Sequence, residues 1–377
     1  MFKAIKNVFF RKDIRSKVIP QFRSFVDHND YKAIKKVFSN NYIAEGPVGK
    51  EFVKELLKIT GSKYGVLAPN GTLAIYLALK ACGIKEGDEV LVQNTTFIAS
   101  ANAIEMVGAT PVFVDIITET DPSIDLAKIK INEKTKGIMV CHLFGTACSN
   151  IEEVKVFCDN NNLMLFEDAA QTIGITNKQN KHCGTFGQIG TFSFYADKTI
   201  TTGEGGFVVT DDEDIYNKML FLRNQGRKNS GTFIHPEIGY NFRLTDIQSA
   251  LGLSQISKLK RIIDAKQNIY NLYRKYLGTD VRFLTINRDF THVPFRVVVF
   301  VENAQKTIKL MENNGIEGRS VFFPLDQQPC FEAFEFSKTG SYENSSKFYE
   351  TGICLPTWIG LSESQIKHIS TSLLKNK

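Results

Sequence analysis

One lysine in this 377-residue chain stands where chemistry could be done. Lys198 lies in GTFSFYADKTITTGEGGFVVT, residues 190–210, in a loop between the apolar runs TFSFY and GFVVT. Gly203, Gly205 and Gly206 give that loop the backbone freedom for an irregular, close-packed turn. Asp168 follows an apolar run directly in LFEDAAQ, and a carboxylate buried at a strand end costs free energy unless a cation or hydrogen-bond donors satisfy it. In PNGTLAIYLAL, Asn70, Gly71 and Thr72 open a helical stretch whose free backbone N–H groups and hydroxyl can cradle an anion. Each feature has a plainer reading: a turn with a helix cap, a capping aspartate, a solvated loop lysine. Together they make the set that pyridoxal phosphate requires: a phosphate cradle, a carboxylate for a protonated ring nitrogen, and an amine for a Schiff base.

These residues need elements to hold them. From Tyr64 onward, short β-rich runs alternate with helical stretches: YGVLA, TLAIYLALKACG, EVLVQ, FIASANAIEMVG, TPVFVD, IMVCHL, IEEVKVFCDN and LMLFED. That alternation predicts a parallel sheet with crossover helices, and strands apolar nearly throughout predict a sheet covered on both faces. Ligands in such sheets collect at the carboxyl ends of the strands, where all three candidates fall. Near residue 250 the alternation gives way to SQISKLKRIIDAKQNIYNLYRKYLG, read as one long charged helix bridging to a smaller α+β lobe. The chain exceeds the usual size of a single core. The expected organisation is a basic extension over 1–18, a large domain over 19–250 and a small C-terminal domain over 251–377.

Hydrophobic residues make up 43% and charged residues 23%, as in ordinary globular proteins. The net charge of +6 is concentrated: residues 1–18 hold six basic residues against Asp13 alone, leaving a nearly neutral body. A neutral body argues against a nucleic-acid partner. Seven scattered cysteines without a C-x-x-C pair predict neither a disulfide framework nor a metal site, and a reducing cytoplasm is the expected location. No apolar run has the length to span a bilayer, and NVFF is too short for a signal-peptide core. If residues 1–18 are helical, Phe2, Ile5, Val8 and Phe9 share a face away from most of the lysines, a pattern that can lie on an anionic membrane. A solvated arm, or a helix packed on a dimer, would read the same way.

The stretches NGTLAIYLAL, TTFIASANAI, FEDAAQ, TFSFYADKTITTGEGG and GYNFRLTDIQSALGLSQ, in this order and spacing, resemble the DegT/StrS sugar-nucleotide aminotransferases over roughly residues 19–377. The resemblance implies an α/β chain with the type I fold of pyridoxal-phosphate enzymes, similar to aspartate aminotransferase. That fold has a large mixed, mostly parallel seven-stranded domain and a smaller C-terminal α+β domain. It also implies a homodimer with active sites at the subunit interface. Carried over by position, Lys198 is similar to the family's Schiff-base and proton-shuttling lysine, and Asp168 to the aspartate that pairs with the pyridine nitrogen. Gln171 matches the residue that hydrogen-bonds the cofactor's phenolic oxygen, and Phe97 the aromatic that stacks on its ring. Gly71, Thr72 and Ser193 match the phosphate binders, and Asn241 an asparagine that reaches the phosphate from the other subunit.

A related subgroup carries histidine at the lysine position and removes water or ammonia from the sugar; lysine here favours transamination. By family habit the donor is L-glutamate and the acceptor a nucleotide-linked keto sugar used in glycan and O-antigen assembly. GIEGRSVFFPLDQQPCF and CLPTWIGLSESQI look most like members acting at carbon 4 of a 4-keto-6-deoxyhexose. Arg319 stands where those carry an arginine suited to a diphosphate. Relatives carry P-x-H where this chain reads Pro324, Leu325, Asp326, so Asp326 places negative charge where a histidine could face an anionic substrate. GDP, UDP and dTDP stay open, as does carbon 4 against carbon 3. A non-catalytic binding protein on the same fold is the rival reading, against which the complete set Lys198, Asp168, Gln171 and Ser193 stands.

Overall fold

The computed structural model describes residues 18–39, 42–227, 231, 233–332 and 340–375. Residues 1–17, and with them the amphipathic pattern that a membrane, a solvated arm or a dimer contact would each explain, lie outside the described residues. No helix among the described residues is long and apolar enough to cross a membrane.

In chain order the elements are α1 (His28–Ser39), α2 (Pro47–Thr60), β1 (Tyr64–Ala68), α3 (Gly71–Ala81), β2 (Glu89–Gln93), α4 (Ala99–Met106) and β3 (Thr110–Val114). A short pair, β4 (Ile116–Thr118) and β5 (Asp121–Ile124), precedes β6 (Thr135–Cys141), α5 (Ile151–Asn160), β7 (Met164–Asp168), β8 (Ile189–Ser193), β9 (Gly206–Thr210) and α6 (Glu213–Arg223). Among the described residues the strands form a seven-stranded sheet in the order β1-β9-β8-β7-β6-β2-β3. All its pairings are parallel except those of β9, which runs antiparallel to both neighbours. The carboxyl ends of β1, β2, β6, β7 and β8 and the start of β9 therefore meet at one edge. Strand residues such as Val90, Leu91, Val92, Ile138 and Val140 are buried, as helices on both faces require.

After α7 (Asp246–Ile256) and α8 (Leu259–Leu277) come β10 (Arg282–Phe283), β11 (Val297–Phe300), α9 (Ala304–Asn313), β12 (Arg319–Ser320), α10 (Glu343–Thr351), β13 (Gly352–Leu355) and α11 (Glu363–Leu374). Their strands make an antiparallel sheet in the order β10-β11-β13-β12. Its apolar core takes Ile269, Tyr273 and Leu277 from α8, Ile366 and Ile369 from α11, and Ile19 from the start of the described chain. The Ile19 N–H donates to the Gly315 carbonyl at 2.7 Å, and the Trp358 indole donates to the Pro20 carbonyl at 2.9 Å.

The single long helix expected over SQISKLKRIIDAKQNIYNLYRKYLG is two helices, broken at Ser257 and Lys258. Lys258 is buried and its amine pairs with Asp30, in the first turn of α1, at 2.6 Å and with Asp27, just before that helix, at 3.3 Å. A buried amine must keep its counter-charges, and the backbone turns where it meets them. Thr245 and Gln248 form a capping box that starts α7, a T-x-x-Q signal visible in the sequence.

Candidate active site

Where the strand ends converge, the chain surrounds a cavity of about 710 Å³. One wall is the entry to α3. Asn70 is extended and its Oδ1 accepts the Leu73 N–H at 2.9 Å, so the helix begins at Gly71. The N–H groups of Gly71 and Thr72, in the first turn, have no intrahelical acceptor. Ser193, at the end of β8, lies against them: a Cβ on Gly71 would stand 3.0 Å from the Ser193 Cβ and 3.2 Å from its Oγ. A Cβ on Gly206 would stand 2.3 Å from the Asn70 carbonyl oxygen, so only glycine lets β9 pack against this turn.

Also lining the cavity, Asp168 ends β7 with its carboxylate almost covered. Its Oδ2 accepts the Ser100 hydroxyl at 2.7 Å and its Oδ1 the Ala170 N–H at 3.1 Å, two donors that offset burial of the charge. Gln171 Oε1 accepts the Phe144 N–H at 2.6 Å, which leaves the amide NH2 to donate. Phe144 has φ of +57°, a conformation rarely adopted by an aromatic residue, held by this bond and by the Phe295 N–H on the Phe144 carbonyl at 3.0 Å. Phe97 lines the cavity with 55% of its surface exposed, 5.9 Å between ring centroids from Phe322.

Lys198 is half-buried in the same cavity, its amine 4.5 Å from the centroid of the Phe295 ring. Burial pushes that amine below its ordinary proton affinity; Asp197 and Asp168 pull it back, and Arg296 pushes it further down. Arg296 also lines the cavity and pairs with Asp197 at 2.6 Å. Behind it, burial pushes the amine of Lys266 down to about 7.

Of the residues singled out in the sequence, Gly71, Thr72, Phe97, Asp168, Gln171, Ser193, Lys198 and Arg319 line this cavity. Asn241 and Asp326 do not. Asn241 is exposed and its Oδ1 accepts the Arg243 Nε–H at 2.8 Å. Asp326 is engaged with Asn94: its Oδ1 accepts the Asn94 amide at 2.6 Å, and its own N–H donates to the Asn94 Oδ1 at 2.9 Å. Burial raises its carboxyl above the usual carboxylate range, against the lowering effect of Asn94.

The cavity thus offers helix N–H donors beside a hydroxyl, a carboxylate, an amide donor, an exposed aromatic ring and an amine. That donor set fits a planar phosphorylated pyridine aldehyde. The DegT/DnrJ/EryC1/StrS aminotransferase family matches residues 25–374. This chain belongs to that family.

The chain is 35% identical to the GDP-perosamine synthase of Escherichia coli O157:H7, over 95% of this chain and 98% of the relative. It is 34% identical to the GDP-perosamine synthase of Vibrio cholerae, over 93% and 97%. The PLP form of Spr1654 from Streptococcus pneumoniae superposes with a TM-score of 0.88 at 25% identity, covering 95% of this chain and 98% of that one. As a DegT/DnrJ/EryC1/StrS aminotransferase, the protein uses pyridoxal 5'-phosphate.

Sequence reasoning passed over several groups that this aminotransferase gathers in or directly behind its cavity wall. Ser100 sits in the quoted TTFIASANAI, three residues after Phe97, so its place beside Asp168 had a local signal. Asp197 is the immediate neighbour of Lys198. Phe295 and Arg296 had none, being about a hundred positions away in the smaller lobe.

Proposed function

We propose that this aminotransferase moves an amino group from L-glutamate to a nucleotide-linked keto sugar, a 4-keto-6-deoxyhexose, and that it works as a homodimer in the cytoplasm on precursors of surface glycans. The observation that carries the reading is Lys198, an amine of lowered proton affinity sharing one cavity with Asp168 and the α3 entry. When bound, pyridoxal 5'-phosphate supplies a carbonyl that takes up the donor's nitrogen and a ring that accepts electrons. Gly71, Thr72 and Ser193 would hold its phosphate, Asp168 would keep a proton on the ring nitrogen, Gln171 would donate to the phenolic oxygen and Phe97 would cover the ring. The Lys198 amine would be the group that takes the proton from the substrate carbon and returns it. Arg319, on the cavity wall, provides a guanidinium for the acceptor's diphosphate. Similarity to two GDP-perosamine synthases favours GDP and carbon 4. All seven cysteines are unpaired thiols, which suits a reducing compartment.

Incubating the protein with glutamate and a panel of GDP-, UDP- and dTDP-linked 3-keto and 4-keto sugars, followed by mass spectrometry, tests the substrate. The expected product is an amino sugar one keto-to-amine exchange away from a GDP-linked 4-keto-6-deoxyhexose, together with 2-oxoglutarate. Turnover only of a 3-keto or a UDP-linked sugar would move the assignment.

Support for the dimer comes from the surface around Asn241, where Phe233, Ile234 and Ile238 expose 86%, 72% and 85% of their area. Asn241 is proposed to complete the phosphate site of a second copy. Mixing Lys198→Ala with Asn241→Ala protein under subunit exchange is expected to restore activity, since each hybrid has one site with both native residues. No recovery, while native dimers survive the same treatment, would remove the shared site.

A further inference from the structure

The loop that carries Lys198 is tied at two points, to the N-terminal strap and to the smaller lobe. Ser24 donates its hydroxyl to the Ala196 carbonyl at 2.5 Å, from the strap that leads away from Ile19. Next along the loop, Asp197 pairs with Arg296, which directly precedes β11. Only 11% of the Asp197 side chain and 3% of that of Arg296 are exposed. The two cations share one ring: the Lys198 amine and the Arg296 guanidinium carbon each lie 4.5 Å from the Phe295 centroid. Arg296 also lies over Phe22 of the strap, 5.6 Å from its centroid. The second oxygen of Asp197 is buried and has no hydrogen-bond partner among the described residues, so its charge is not spread over further donors.

A buried ion pair adds little to stability compared with apolar residues of the same volume, because desolvation offsets the attraction. Its worth here lies in what it presents to its neighbour. We propose that Asp197 and Arg296 are a positioning pair for Lys198, locking its loop to the smaller lobe and giving its nitrogen a balanced carboxylate and guanidinium in place of a net charge. This rests on the reading of Lys198 as the reacting amine. The charges facing that nitrogen are Asp197 from its own loop, Asp168 from β7 and Arg296 from the smaller lobe. The other ionisable groups on the cavity wall are His142, Tyr195, Glu204, Arg319 and Cys354, with Lys266 behind Arg296.

Each partner alone pushes the proton affinity of the Lys198 nitrogen in its own direction. Removing Arg296 leaves the carboxylate unopposed and raises it; removing the Asp197 charge leaves the guanidinium unopposed and lowers it. The test is a pH titration of the visible absorption band of the cofactor-loaded full chain, which reports the proton held at the Lys198 nitrogen. Arg296→Gln is expected to move the midpoint up by about one unit and Asp197→Asn down by about one unit. The double variant is expected to return close to the native midpoint, a cancellation that a merely structural role does not produce. If Arg296→Gln does not fold, Asp197→Asn, which changes almost no volume, decides alone: a downward shift supports the pair, and an upward shift or none overturns it. Single variants that shift the same way, or a double variant that fails to cancel, overturn it too. A band that survives unchanged in Lys198→Ala overturns the reading of Lys198 and this proposal together, whereas a Lys198-dependent band that ignores both substitutions overturns the pair alone.

Discussion

Lys198→Ala protein is expected to keep its fold and most of its grip on the cofactor's phosphate, yet to lose transfer of nitrogen by a factor of roughly 10⁴ or more. The cradle and the amine are separate parts of the site. Gly71 and Thr72 belong to the first turn of α3 and Ser193 to the end of β8, whereas Lys198 lies in the following loop. Removing the amine leaves those donors in place and takes away both the attachment point and the group that shuttles the proton. Borohydride reduction of native protein followed by peptide mapping checks the assignment: the pyridoxyl label is expected on the peptide containing Lys198, and absent in the variant. A label on another lysine would overturn it.

Asp168→Asn is expected to retain the cofactor and slow turnover by at least about 10²–10³-fold. The substitution keeps shape, and its amide oxygen can still accept from Ser100 or from the Ala170 N–H, so the fold has little to lose. What disappears is the negative charge that holds a proton on the ring nitrogen. A charge-assisted hydrogen bond of about 1.5–3 kcal/mol goes with it. Stopped-flow measurement of how fast the visible band bleaches on adding glutamate isolates the donor half of the reaction. Near-native bleaching by the asparagine variant would rule out the electrostatic role.

Local order was legible because it depends on near neighbours. YGVLA, EVLVQ, IEEVKVFCDN and GFVVT coincide with β1, β2, α5 and β9 residue for residue, since apolar runs bounded by turn residues have few other ways to bury themselves. Once β1, β7 and β8 run in the same direction, their carboxyl ends must share an edge, which brings Gly71, Asp168 and Ser193 to one cavity. The charged stretch near residue 258 misled because helical periodicity says nothing of a distant counter-charge. Asp27 and Asp30, far back in the chain, turn the backbone at Lys258.

The residue types and their order thus determined the alternating architecture, the edge where ligands collect and the amine that stands there. Tertiary packing alone decided which distant groups surround that amine. Arg296 reaches Asp197 across 99 positions, and Ile19 joins a core built mainly from the other end of the chain. It also decided that Asp326 spends its carboxylate on Asn94 and that Asn241 lies outside the cavity of its own chain. The physical reason is one of range. Strand and helix tendencies come from sterics and burial within a few residues, whereas an ion pair or a shared ring exists only after the long loops between its members have closed and water has been excluded from between them.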